Sequence, residues 1–561
     1  MPSPAEGPAT RMRPAFASLR ERPDVSVLIV GGGINGIGLL RELALQGIDT
    51  LLIDKSDFCA GTSAAMTRVI HGGLRYLENA EFRLVRESLR ERNRLLNNAP
   101  HYVKPLPTTI PIFTWTSGMI PAIRNLLGWP VKPGNRGAIL IKTGLTLYDM
   151  LAGRGSPLPK HQFHSRRAAL ALRPALNPDI ICTATYYDAR ITYPERLCLE
   201  LVQDAEAAFP EARALNYVRL QSAAGGAVVL RDEVSGQSCQ VRPRVVVNAT
   251  GAWIDFTNRG LGRESHFIGG TKGSHLVLDH PELVKATGDG MIYFVNRDGR
   301  ICIFYAVCGK IIAGATDLPS EDPEAVCDEA EVNYILEAMR LAFPSIRVDR
   351  SHVVFRFCGV RPLPRSDART PGQISRNHSF PVLPPGNGVD FPIYSLVGGK
   401  WTTFRALAAQ VADEVLRVLG RPRIRDSADL PIGGGKGFPG SAAASPYRAQ
   451  RLEALLERYG AGAASVAAFL QAGPDALLSF HRGYSRREIE FIAGRERVVH
   501  LDDLILRRTL MGMLGEASLP LLEELSTIVS PVLGWSQQDA AAEVERTVQL
   551  LLRVHGVTLA K

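Results

Sequence analysis

Val25–Asp54 reads VSVLIVGGGINGIGLLRELALQGIDTLLID, and the reading of this stretch decides the fold. Val25, Val27, Leu28, Ile29 and Val30 make a near-continuous apolar run, the pattern of a strand buried on both faces. Gly31, Gly33 and Gly36 follow in G-x-G-x-x-G spacing. The first permits a tight turn, the second lets backbone amides approach a pyrophosphate, and the third lets the following helix pack closely on its strand. Gly47 suits a helix C-cap, and Asp54 ends a second strand where a carboxylate can accept hydrogen bonds from a ribose hydroxyl. Strand, turn, helix, strand and acid together predict a dinucleotide site.

Further coenzyme pieces lie far along the chain. The strand Arg244-VVVNATGAW brings Asn248, Thr250 and Gly251 toward the first unit, and Gly398-Gly399 opens another turn. Nicotinamide enzymes keep their dinucleotide domain contiguous, whereas FAD proteins weave a substrate sheet between its halves, so FAD is the expected cofactor. The fold class is α/β: an interrupted, Rossmann-like FAD-binding domain, an antiparallel-sheet substrate domain and an α-helical C-terminal domain. The FAD-binding part is expected at 24–105, 180–262 and 355–425, and the substrate part at 106–179 and 263–354. Helices are expected at Glu81–Leu96 and Pro194–Ala208, and short antiparallel strands over Phe267–Asp317. The helical domain at 427–561 follows the glycine-rich stretch Ile432-GGGKGFPG, read as a linker.

A chain of 561 residues exceeds what one hydrophobic core organises. Its net charge of +9 suits nucleic acid, anionic lipid or a small anionic substrate, but no aromatic residues interleave with the cations as base stacking requires. No nucleic-acid partner is expected. The eight cysteines contain no C-x-x-C pair, so reduced thiols and no metal site are expected. Residues 1–23 are proline- and arginine-rich and read as a disordered arm. No run is long and apolar enough to span a bilayer. Ile110–Trp129 carries Trp115 and Trp129 around an apolar run with Lys132 and Arg136 beyond, which suits a membrane interface or a buried loop and helix.

After the second strand, Thr62, Ser63, Thr67 and Arg68 supply hydroxyls and a cation where a flavin pyrophosphate would lie. His71-Gly72-Gly73 brings flexible backbone toward an isoalloxazine, followed by Arg75 and Tyr76.

HGGLRYLE (71–78), EFRLVRESL (81–89), TKGSHLVL (271–278), GATD (314–317), GVRPL (359–363) and GGKWTTFR (398–405) closely resemble the FAD-dependent glycerol-3-phosphate dehydrogenase family of the aerobic, quinone-linked type. HLDDLILRR (500–508) and SPVLGW (530–535) resemble its C-terminal domain, so the likeness covers nearly the whole chain. It implies flavin-dependent oxidation of a polyol phosphate, with quinone as acceptor and peripheral contact with the cytoplasmic face of the inner membrane. A homodimer is compatible with it. Arg361 and Arg376 match the family's substrate arginines, and Lys400 its lysine near the flavin. His275 and His71 are the two candidate bases, with His275 slightly favoured and His71, Arg75 and Tyr76 shaping the substrate side. The cofactor set is Gly31, Gly33, Asn35, Gly36, Asp54, Thr62, Ser63, Arg68, Gly251, Gly399 and Thr402. Two alternatives stay open: an oxygen-using oxidase, and a related substrate such as erythritol phosphate. Departures from the family pattern, among them Ala315 in GATD and Tyr187-Asp188-Ala189-Arg190, bear on the length of the substrate. No EF-hand loop follows, so calcium regulation is not expected.

Overall fold

The computed structural model describes residues 13–559 apart from 80, 119–135, 154, 367–373, 375 and 439–448. Two sheets organise them. In the eight-stranded first sheet, Asp24–Val30 lies between Thr50–Ile53 and Ser238–Asn248, both parallel to it. Ala212–Leu215 extends one side and Ile393–Ser395 the other. Strand order thus runs both ways from Asp24–Val30, a topological switch point where ligands bind beyond the carboxyl ends of strands. The register puts Val30 level with Ile53 and Asn248, and Asn248 level with Ser395, so Gly31, Asp54, Thr250 and Leu396 all leave from one edge.

Burial explains the strand. Val27, Leu28 and Ile29 are fully enclosed, each worth about 1.5–3 kcal/mol in apolar area removed from water. The helix Ile34–Ala44 packs between Pro194–Ala208 and Phe404–Leu419. A Cβ on Gly38 would stand 2.6 Å from the Phe404 ring, so the missing side chain sets that approach.

The ten-stranded second sheet carries the expected antiparallel run: Thr271–Leu278, Lys310–Gly314, Ile301–Val307 and Met291–Val295. Val103–Ile112 then joins in parallel, followed by Cys182–Ile191 and Val69–Ile70. Cys182–Ile191 and residues 355–361 of Val353–Arg361, expected within the FAD-binding part, are therefore in strands of the second sheet. Their alternation of apolar residues serves either sheet equally, so only the pairing assigns them. Leu276, Leu278 and Phe304 face the helix Glu329–Ala342. Val277, Tyr305 and Phe357 face the other way and share a core with Ile29 and Ile37.

Within the arm expected to be disordered, the described residues 13–23 are ordered. Pro14–Glu21 is a helix whose Phe16 and Leu19 are fully buried against the first sheet, and Arg13 binds Asp232 at 2.6 Å. The glycine-rich stretch is likewise docked rather than loose. Gly434 and Gly435 are buried, the Gly434 amide donates to Glu200, and a Cβ on Gly435 would strike the Asn98 carbonyl. Past it the described residues are mainly helical, up to Gln537–His555.

Two arginines of the motif HLDDLILRR lie inside. Arg507 and Arg508 are buried and bind Asp57, only three residues beyond Asp54. Among the described residues no helix is long and apolar enough to cross a membrane. Of the interfacial stretch, Ile110 and Ile112 are buried in a strand, Trp115 is 61% exposed, and 119–135 lie outside the described residues.

Candidate active site

The first glycine turn is built as its spacing requires. Gly31 has φ +113°, and a Cβ there would stand 2.6 Å from the Ala249 carbonyl oxygen. A Cβ on Gly36 would collide with the Gly31 carbonyl, which is why the helix can start so close to the turn. The Gly32 amide donates to Asp54 at 2.6 Å and the Ser56 amide at 2.8 Å. Burial outweighs these bonds and pushes the Asp54 carboxyl up to about 6.

Ser63 accepts a hydrogen bond from the Ile34 amide, 3.0 Å away, at the N-terminus of Ile34–Ala44. Its neighbour Thr62 donates to the Val360 carbonyl at 2.7 Å. Gly251 and Gly399 both hold positive φ, and Asn35 Nδ2 would meet a Gly399 Cβ at 3.1 Å. The glycine turn at 31–36 and the turn at 398–403 are thus neighbours. Thr402 is buried in the short helix that precedes Phe404–Leu419.

Arg68, expected beside the pyrophosphate, is committed elsewhere. Its guanidinium is buried in a two-pronged bond to Glu195, at 2.7 and 3.2 Å, and donates to the Thr192 carbonyl. A motif with hydroxyls and one arginine reads as an anion cradle, but the partner acid lay 127 residues away in sequence.

Two buried groups bear on the cofactor. Asn35 Oδ1 and both ring nitrogens of His275 are shut from solvent without a hydrogen-bond partner. Polar atoms left so cost about 1–3 kcal/mol each. Asn35 stands beside a glycine-lined turn, where its free oxygen fits a heterocycle with its own hydrogen-bonding edge, as a flavin has.

On the substrate side, cations crowd one carboxylate. Arg361 reaches Asp317 Oδ1 at 3.2 Å and Arg376 reaches Oδ2 at 3.1 Å. Burial raises the Asp317 carboxyl, but Arg361, Arg376 and Arg75 together hold it below its ordinary value. Arg75 is half-buried and has no carboxylate within ion-pair distance among the described residues. Lys400 donates to Ser88 at 2.9 Å, and its ammonium stands 3.6 Å from the Tyr76 ring centre. Burial draws the Lys400 pKa down. The Tyr76 hydroxyl is lowered too: burial opposes this, but Lys400, Arg376 and Arg75 outweigh it. Three arginines around a single acid concentrate the positive charge that suits a dianion.

The two histidines separate by environment. His71 Nδ1 lies 3.3 Å from Asp188, which also binds the Gly72 amide, Arg92 and the Tyr148 hydroxyl. Burial raises the Asp188 carboxyl, yet His71, Arg92 and the Gly72 amide outweigh it and keep it ionised. The His71 side chain is 38% exposed, so its other nitrogen can face a substrate. His275 is 2% exposed, stacks on Phe357 at 4.8 Å between ring centres, and is pulled down to about 3 by burial and then by Arg361. A neutral ring that resists protonation so strongly is a poor proton acceptor. This environment weighs against the expectation of His275 as base.

Three functional side chains escaped the sequence reading: Asp317, Asp188 and Ser88. Asp317 stood within the quoted GATD, and Ser88 within EFRLVRESL, without assigned roles. Asp188 stood in a segment noted only for its departure from the family.

Comparison with known proteins agrees with this geometry. The family described as FAD dependent oxidoreductase matches residues 26–387, and the C-terminal domain of alpha-glycerophosphate oxidase matches 395–540. The protein is an FAD-dependent oxidoreductase, and FAD is its cofactor. Glycerol-3-phosphate dehydrogenase of Synechocystis sp. is 33% identical over 93% of this chain and 95% of that protein. Glycerol-3-phosphate dehydrogenase 2 of Mycobacterium tuberculosis is 30% identical over 97% of this chain and 90% of its own length. The chain belongs to the glycerol-3-phosphate dehydrogenase family. The glycerol-3-phosphate dehydrogenase from Bacillus halodurans, solved in complex with FAD, shares the fold with a TM-score of 0.72 at 22% identity over 97% of both chains.

Proposed function

We propose that the protein oxidises sn-glycerol 3-phosphate to dihydroxyacetone phosphate and passes the electrons to quinone. The observation that carries this reading is the convergence of Arg75, Arg361 and Arg376 on the one carboxylate of Asp317. A phosphomonoester dianion displaces part of that pairing and takes the guanidinium forks for its own oxygens.

FAD held here would supply a two-electron acceptor, its N5 for the hydride of the substrate C2. The chain's residues do the rest. His71, oriented by Asp188, takes the proton of the C2 hydroxyl through the nitrogen that faces the site. Lys400 stabilises negative charge on the oxygen as the carbonyl forms, and Tyr76 limits where its ammonium can swing. His275, kept neutral, offers a hydrogen bond from the second sheet without adding charge. Asn35 and the amides near Thr402 face the cofactor.

The quinone and membrane assignment is supported by the tryptophans at 115 and 129, which bracket an apolar run with cations beyond, and by the exposure of Trp115. The cytoplasmic face of the inner membrane is the proposed location, and a homodimer the proposed assembly.

Specificity tests the reading. kcat/KM is expected to be highest for glycerol 3-phosphate, lower for erythritol 4-phosphate, and at least about a thousandfold lower for glycerol, which lacks the charged hydrogen bonds. Preference for the four-carbon ester would reassign the substrate. Peroxide formed in equal amount to product, with no gain on adding a quinone analogue, would reassign the acceptor to oxygen.

A further inference from the structure

A second cavity, of about 240 Å³, opens where the strands Val103–Ile112, Cys182–Ile191 and Ile301–Val307 meet the C-terminal helix Ala449–Tyr459. It shares no residue with the cluster around Asp317. Its floor is buried and largely apolar: Ile191, Tyr193, Tyr305 and Val307 are each less than 9% exposed.

The charges on its wall are unusual. Lys104 and Arg190 line the cavity from directly opposed positions on neighbouring antiparallel strands. Like charges so placed destabilise a strand pair unless something sits between them. Neither has a carboxylate within ion-pair distance among the described residues, and Arg190 Nε is shut from solvent with no hydrogen-bond partner. His101, only 3% exposed, binds Glu200 through Nε2 at 2.9 Å, while its Nδ1 is buried without a partner. Arg190 is close enough to Tyr305 and Cys308 to act on both hydroxyl and thiol. One acid, the exposed Glu457, stands on the C-terminal helix at the rim.

We propose that this cavity binds a small phosphate monoester, its phosphoryl group between Lys104 and Arg190 and its hydroxylated part toward Glu457. An ammonium and a guanidinium facing each other match a dianion's two charges. The volume holds several times one water's share of about 30 Å³, so it takes an organic group as well as the phosphoryl. Glu457 can accept a hydrogen bond from a hydroxyl but repels a second anionic group, which disfavours polyphosphates. Because the walls come from both the second sheet and the C-terminal domain, occupancy ties the two together and raises thermal stability.

The test is a titration of the FAD-loaded full-length protein with glycerol 2-phosphate, and separately with inorganic phosphate, by calorimetry. Wild type is expected to bind two equivalents of the ester. Lys104→Gln/Arg190→Gln is expected to lose one equivalent while keeping flavin reduction by substrate within twofold, and Arg361→Gln to lose the other. Lys104→Gln alone, at a half-buried position, is expected to weaken the second site at least fivefold and so serves if the double variant folds poorly. Two undiminished equivalents in both the single and the double variant would overturn the proposal. Inorganic phosphate is expected to bind this site at least fivefold more weakly than the ester; equal binding would overturn the ester assignment. The stoichiometries and affinities are binding readouts that stand or fall apart from the proposed turnover; flavin reduction serves only as a control on the first site.

Discussion

Arg361 and Arg376 hold opposite oxygens of the same carboxylate, Asp317, at 3.2 and 3.1 Å. Arg361 also donates to the Thr316 carbonyl at 3.4 Å. Arg361→Gln and Arg376→Gln are each expected to raise KM for glycerol 3-phosphate about 10- to 100-fold, the worth of a charged hydrogen bond of about 1.5–3 kcal/mol. The slow rate with unphosphorylated glycerol should change less than about twofold, since nothing in that substrate uses the forks. Steady-state kinetics with the two substrates decide the matter.

The histidine assignment is separable by rate. His71→Asn is expected to slow flavin reduction by about 10²–10⁴, the usual worth of a positioned base, with little change in substrate binding. Asp188→Asn should follow it in part, because the ring loses the group that orients it. His275→Asn should cost much less in rate. Stopped-flow reduction of the three variants reads this directly, and a larger loss at His275 than at His71 would return the base role to the buried ring.

Asp54 gives the protein without FAD a pH signature. Its carboxyl sits at about 6 when folded, against an ordinary 3.8. Between those values the folded chain holds a proton that the unfolded chain has released, so this group's contribution to stability falls as pH rises through that window. Ribose hydroxyls donate to the ionised form, so FAD binding must expel the proton. FAD affinity is therefore expected to weaken as pH falls below about 6, by up to about tenfold per pH unit, and Asp54→Asn to flatten the dependence. Fluorescence titration of the apoprotein at several pH values measures it.

Asp57 links the C-terminal domain to the loop that follows Asp54. It is fully buried and binds Arg507 at 2.6 Å and Arg508 at 2.7 and 2.9 Å. Burial alone would raise its carboxyl, but the two arginines hold it far below its ordinary range. Asp57→Ala leaves two enclosed guanidiniums short of a partner, a loss of about 3–5 kcal/mol. A lower thermal midpoint is expected, together with FAD release at a lower temperature than in wild type. The same substitution should not change KM in protein that remains loaded.

Local rules carried the sequence reading a long way. The unit at Val25–Asp54 was legible because strand, turn and helix are each set by neighbours within a few residues, and motifs singled out Arg361 and Arg376, which the fold brings to one carboxylate. What failed depended on distance. Arg68 looked like a pyrophosphate ligand because Glu195 was invisible beside it. The pairing of Arg507 and Arg508 with Asp57 was illegible because the partners lie some 450 residues apart. His275 and His71 are equal as residue types, and only burial on one side and Asp188 on the other distinguish them. Pro14–Glu21 read as disordered because Phe16 and Leu19 are few, and their burial depends on a sheet assembled from distant strands.

Anaerobic titration of the FAD-loaded protein with glycerol 3-phosphate tests the central claim most directly. The visible flavin absorbance is expected to bleach with one equivalent of dihydroxyacetone phosphate formed per flavin, and Arg361→Gln to require a far higher concentration for the same bleaching. A flavin that stays oxidised at saturating glycerol 3-phosphate would contradict the account.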